Sequence, residues 1–216
     1  MLNAQGVIEA GSRDDPPSRS GLASLAGGLL TEGAGGMSSR EIAFEIDSLG
    51  SSLDVITGYE TTAVIASGLS EHCGASLDLM SVITRRPEFD LDALSEGVRR
   101  QLAELAEDGS RAHTACRREF MRTVFRGHPR ANPVDGTAKS LRAVSMGDVR
   151  DFHRRSYAPD RAVLSVVGDA DPSTLLDLAE SAFGEWMRSA EPPSEPPAPR
   201  RQTERRTSAV EMPGSQ

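Results

Sequence analysis

Histidine and cysteine are the side chains with most to offer a metal or a covalent intermediate, and this chain has few: His72, His113, His128 and His153, with Cys73 and Cys116. No two histidines are three or four residues apart, the spacing that lets two imidazoles on one helix converge on an ion. His72 and Cys73 are adjacent, and adjacent helical side chains point about 100° apart, so they do not share a tetrahedral ion. His113 and Cys116 are three apart on a predicted helix, but two ligands make a poor site, and a packed thiol is the expected role for Cys116.

Other chemistries fare no better. The chain has no Gly-x-Ser-x-Gly elbow, and neither cysteine has a nucleophile's surroundings. Gly33, Gly35 and Gly36 lack the lysine of a phosphate loop and read as a hairpin or helix stop. Asp90, Asp92, Glu96, Glu104, Glu107 and Asp108 fall along a predicted amphipathic helix, where acids usually form the solvated face. The residues by themselves declare no active site and no cofactor.

The elements that would position them are easier to read. Gly6 to Ala10 predicts a short strand, ended by the turn residues Gly11 to Pro17. Leu22, Leu25, Leu29 and Leu30 have helical spacing, and Ser38 with Glu41 caps a second helix stopped by Gly50. Residues 51–57 and 61–67 form a predicted hairpin around Gly58-Tyr59-Glu60. Helices follow, one with Leu77, Met80 and Ile83 on a face, and one from Asp90 to Glu107 with a stripe of Leu91, Leu94, Val98, Leu102 and Leu105. Residues 110–125 and 145–157 are also helical in pattern. Ala162 to Val167 is the clearest strand, and Pro172 opens a helix to about Arg188. Strands and helices do not alternate, so the expected class is α+β, one two-layer domain of helices on a mainly antiparallel sheet.

With 216 residues, 32 acidic against 24 basic and a net charge of −8, the chain does not resemble a nucleic-acid binder. It has no apolar run long enough for a membrane helix, and Met1 to Glu9 shows no export signal. Five prolines between Glu191 and Arg206 mark a linker over residues 189–205, and Thr207 to Val210 reads as the start of a strand.

One phrase goes further. Gly11-Ser12-Arg13-Asp14-Asp15-Pro16-Pro17, followed by Ser20-Gly21-Leu22-Ala23, resembles the opening of the insulinase/pitrilysin-type zinc metallopeptidases, the inverzincins. The resemblance continues through Ile46 to Gly50, Glu60-Thr61-Thr62, Phe89, Gly127-His128-Pro129, Gly136-Thr137, Tyr157 to Asp160, Val166 to Asp169 and Phe183 to Trp186. It spans roughly residues 5–188, and Pro213 to Gln216 is similar to the phrase that opens the family's second domain.

The resemblance implies a half-unit fold over residues 1–188, with a first segment 1–139 and a following segment 140–188, and a second domain starting within 206–216. On that reading the chain is truncated at both ends. In the family the opening phrase runs into His-x-x-Glu-His, two zinc ligands and a general base. Here those positions hold Ser24, Gly27 and Gly28. The third ligand position is Glu104, 76 residues beyond Gly28, and an acidic position before it is Gly97. One carboxylate cannot hold zinc. The resemblance therefore implies a non-catalytic subunit that helps a homologous zinc-bearing partner enclose a peptide. The alternatives are an active zinc endopeptidase and a remnant without a partner.

Overall fold

The N-terminal strand shows how the sheet is made. β1 (Leu2–Ile8) turns Leu2, Ala4 and Ile8 inward and Asn3 and Gln5 outward, the two-residue period of a half-buried strand. It pairs antiparallel with both β5 (Thr62–Gly68) and β6 (Ala162–Gly168), while β4 (Ser52–Thr57) pairs with β5. The order is β4-β5-β1-β6. The structure is a computed structural model describing residues 1–109, 111–188 and 198–211.

Register makes the two sheet faces unlike. The inner face carries rows such as Leu53–Ala66–Ala4–Val166 and Val55–Val64–Gly6–Leu164. Many of these side chains are small, so helices approach closely: a Cβ at Gly6 would lie 2.8 Å from Met80 Cε. The strand therefore runs through Gly6 instead of starting there as expected, because the missing side chain is the space that Met80 fills.

The helices cover the inner face. They are α1 (Leu22–Gly28), α2 (Ser39–Ser48), α3 (Cys73–Arg85), α4 (Leu91–Gly109), α5 (Ala112–Val124), α6 (Ala138–Leu141), α7 (Met146–Ser156) and α8 (Pro172–Phe183). The fold is α+β with an antiparallel sheet, as the pattern predicts. Among the described residues, no helix is long and apolar enough to cross a membrane. Between α1 and α2, Gly33–Ala34 (β2) and Met37–Ser38 (β3) make a minimal hairpin whose turn uses Gly35 and Gly36 at positive φ.

α1 is buried on nearly every side through Leu22, Ala23, Leu25, Ala26 and Gly27. Its first turn is held from outside the helix: Asp15 Oδ2 accepts from Gly21 N and Oδ1 from Ala23 N, each at 2.8 Å. α7 places fully buried Val149 and Phe152 in the core, and His153 Nε2 donates to the Thr84 carbonyl at 2.9 Å, joining α7 to α3. Ser81 Oγ and Arg85 Nη1 donate to the Ala182 carbonyl, tying the end of α8 to α3.

Several expectations need correction. Leu91 does not belong to the packed face of α4; it is 68% exposed, and Leu94, Gly97 and Gln101 are buried instead. It is the first residue of the helix, preceded by the cap Asp90, whose Oδ1 accepts from Asp92 N and Ala93 N. α8 ends at Phe183, where Gly184 is the C-cap, short of Arg188. Residues 207–211 form no strand: Gln202 Nε2 donates to the Val124 carbonyl and Ser208 Oγ to Glu119, so this stretch lies along α5 without a ladder partner. Residues 189–197 of the expected linker, and Pro213 to Gln216, lie outside the described residues.

Phe152→Ala removes a fully buried ring from the core side of α7. It is expected to cost about 3–5 kcal/mol, read as a lower urea midpoint. The Asp15 cap predicts a pH effect. Burial pushes its carboxyl up from 3.8 to about 7, over the opposing pull of the Ala23 and Gly21 N–H groups. The folded chain then holds a proton that the unfolded chain has released, so this contribution is present at low pH and is lost as pH rises toward 7. The stability of the natural chain relative to Asp15→Asn should fall between about pH 4 and pH 7 in a series of urea melts; a flat difference would remove the assignment.

Candidate functional site

Ser24 and Gly28 lie one helical turn apart on α1, and Gly97, Arg100, Gln101 and Glu104 share a face of α4 by the same periodicity. The two faces meet across a cavity of about 260 Å³, which Val55 and Thr57 of β4 also line. Three of the four positions singled out in the sequence, Ser24, Gly28 and Glu104, are thus brought together from points up to 80 residues apart. The fourth, Gly27, is buried and turns toward β4.

The two glycines do different things. A Cβ at Gly27 would fall on Thr57 Oγ1, closer than van der Waals contact allows. That hydroxyl is not free to move aside. Thr62 Oγ1 donates to the Ala10 carbonyl at 2.7 Å, so at 3.1 Å it can only accept the proton of Thr57 Oγ1. Gly28, by contrast, opens on the cavity, and a Cβ there would lie 3.8 Å from Arg100 Nη2. A Cβ at Gly97 would make only ordinary contact with Leu25 and Leu29, so a small side chain would fit there.

The cavity's charge comes from α4. Arg100 Nη1 lies 3.4 Å from Glu32 Oε1, and the guanidinium brings a positive charge beside Gly28. Gln101 Nε2 donates to the Asp135 carbonyl at 3.0 Å, fixing the wall next to Glu104. The cavity therefore offers one carboxylate, one serine hydroxyl and one guanidinium. That set does not fit zinc, which takes neutral imidazoles, thiolates and carboxylates and is repelled by a fixed cation. Among the described residues, no group of three or more His, Cys, Asp or Glu side chains could hold a metal ion. Arg100 and Thr57 were not singled out from the sequence. Arg100 was within reach, since it stands three residues after Gly97 and four before Glu104; Thr57 depends on strand register and was not.

The remaining candidates are dispersed. Cys73 is buried at the start of α3, and Cys116 is exposed on α5, not packed as expected, because α5 buries none of its residues. His72 precedes α3, and His128 Nδ1 accepts from Arg130 N at 3.1 Å. The acids of α4 are largely a solvated face, with Glu96 paired to Arg99 and Glu107 to Arg111.

Comparison with known proteins agrees with the opening phrase. Residues 4–138 match the family described as Insulinase (Peptidase family M16), and residues 143–216 match the one described as Peptidase M16 inactive domain. An uncharacterized zinc protease of Rickettsia bellii is 25% identical over 82% of this chain and 43% of its own length. One of Mycobacterium leprae is 29% identical over 86% of this chain and 42% of its own length. The chain thus spans less than half the length of these relatives. A crystal structure of a peptidase M16 inactive domain from Pseudomonas fluorescens superposes with a TM-score of 0.82 at 23% identity, covering 92% of this chain and 49% of that one. At that identity the likeness speaks for the fold alone. By its residues 4–138, the chain belongs to the insulinase family of peptidases, peptidase family M16.

Proposed function

We propose that this chain is a non-catalytic member of its family, a pseudopeptidase unit that helps a homologous zinc-bearing subunit enclose an extended peptide. Ser24 and Gly28 stand at the two imidazole positions, Gly27 at the general-base position and Glu104 at the third ligand. Within the same reading, residues 1–188 are the peptidase-like domain, 189–205 a linker and 206–216 the start of a second domain.

The observation that carries this reading is the donor set of the cavity between α1 and α4. Hydrolysis by a family enzyme needs a zinc-bound water and a carboxylate to take its proton. Here Glu104 is the single anionic donor among Ser24, Gly27, Gly28 and Glu104, and Arg100 stands beside Gly28. At position 27 the obstacle is also steric, since Thr57 Oγ1 occupies the place where a glutamate side chain would leave the helix. The relatives, zinc proteases on one side and an inactive domain on the other, fit a family in which both kinds occur.

Metal analysis tests the reading directly. The chain dialysed against zinc should retain far less than one equivalent, whereas Ser24→His/Gly28→His with Arg100→Ala, keeping Glu104, should bind zinc at least about tenfold more tightly. Stoichiometric zinc and chelator-sensitive cleavage of peptides by the unmodified chain would sink the proposal. Co-expression with a zinc-bearing homologue tests the partner: the two are expected to elute together, and a chain that stays alone counts against it.

The steric part has its own test. Gly27→Ala should cost about 1–3 kcal/mol from overpacking, more than the roughly 1 kcal/mol that alanine adds to helix propensity. In a Thr57→Ala background the same substitution should be neutral or stabilising, a coupling that a double-mutant cycle in urea reads.

A further inference from the structure

The net charge of −8 hides a basic region around one helix. Residues 111–130, which contain α5, hold six arginines and one glutamate, and residues 200–206 hold four arginines and one glutamate. The second stretch lies along the first, through Gln202 on the Val124 carbonyl and Ser208 on Glu119. Ten of the 24 basic residues therefore gather around one helix, and the remainder of the chain is correspondingly more acidic.

Residues 206–210 cover the side of α5 that carries Ala112, Cys116, Glu119 and Phe120, and on its other side a cavity of about 270 Å³ lies between α5, the tip of the β4–β5 hairpin and residues 130–135. Arg117, Arg118 and Arg130 line it together with Tyr59 and Asn132. Arg130 is held flat, with its guanidinium 4.6 Å from the centre of the Tyr59 ring and 5.7 Å from that of Phe125. The Tyr59 hydroxyl is buried without a hydrogen-bond partner among the described residues. Acids temper the site: Asp108 is 3.8 Å from Arg118, Glu60 is 3.1 Å from Arg130, and Asp135 lines the wall. Arg117 is exposed and has no ion pair among the described residues.

We propose that this side of α5 is a docking site for an extended, carboxylate-rich peptide segment, whose acidic side chains engage Arg117 and its neighbours. Guanidinium forks match carboxylates in two-point geometry, and the spare donor at this surface is the exposed Arg117 guanidinium. The interspersed acids Asp108, Asp135 and Glu60 favour this occupant over nucleic acid. They would repel a continuous phosphate backbone, whereas the spaced carboxylates of a peptide can fall between them. The proposal does not rest on the metal reading, because binding is measured on the chain without metal and without a partner.

Fluorescence anisotropy with a fluorescein-labelled peptide of alternating Glu and Ser provides the test. The full chain should bind it at low salt, more weakly as salt is raised, and should not bind the same peptide with Lys in place of Glu. Arg117→Glu, a change at an exposed side chain with no ion partner to lose, should weaken binding about fivefold or more. Arg40→Glu on α2 makes the same change in net charge and should weaken it less than about twofold. Circular dichroism checks that both variants are folded. No binding at low salt, equal losses in the two variants, or tighter binding of an oligothymidylate of the same length would each overturn the proposal.

Discussion

The relay of hydroxyls from Thr57 to Thr62 to the Ala10 carbonyl sits where the sheet meets α1, and much of the molecule is arranged around it. It bridges β4, β5 and the chain just after β1, three segments brought together only when the sheet is in register. Because Thr62 has a single proton and gives it to Ala10, the Thr57 hydroxyl is committed in direction and in place. α1 must then come down on β4 with no side chain at position 27. Gly97, on the other flank, is under no such constraint, since a Cβ there would meet Leu25 and Leu29 at ordinary distance. The cavity between α1 and α4 lies beside this close approach.

Charge is arranged with similar economy. α4 spends most of its acids on solvent and on neighbouring arginines, but turns Arg100 and Glu104 into the cavity. α5, the next helix, buries nothing and carries a run of arginines. A helix of that kind owes its place to the segments at its ends and to the groups that reach across to it, such as Arg118 to Asp108 and Gln202 to the Val124 carbonyl. Phe120, 61% exposed on α5, adds apolar surface on the side that residues 206–210 lie along.

How far the sequence can be read differs from element to element for identifiable reasons. α2 was legible because Ser38 and Glu41 form a reciprocal capping box, a purely local device. The β4–β5 hairpin was legible because alternation and turn residues are adjacent in the chain. β1 was placed too late, since its register is fixed by pairing with β5 and β6 and by Met80 packing over Gly6, none of which is local. The same division runs through the site. Ser24, Gly27, Gly28 and Glu104 were singled out as candidates from an opening phrase and a spacing, while Thr57, which closes position 27, depends on the sheet register. The basic region escaped because net charge sums over the chain and cancels α5 against α4.

The fold also explains why α1 does not depend on a metal for its place. A structural metal contributes folding free energy directly, so its ligands and its fold are lost together. α1 is held by other means: the Asp15 carboxyl on Gly21 and Ala23, buried Leu22, Leu25 and Ala26, and contact with α7, α4 and β4. None of these uses positions 24, 27 or 28 as donors. Those positions are therefore free of any duty in folding except at 27, where the duty is to have no side chain. The cavity wall on α4 is likewise fixed by Gln101 on the Asp135 carbonyl, and Glu104 has no hydrogen bond or ion pair among the described residues. A scaffold built this way keeps its shape whichever groups face the cavity, and its surfaces can serve binding whether or not chemistry is done there.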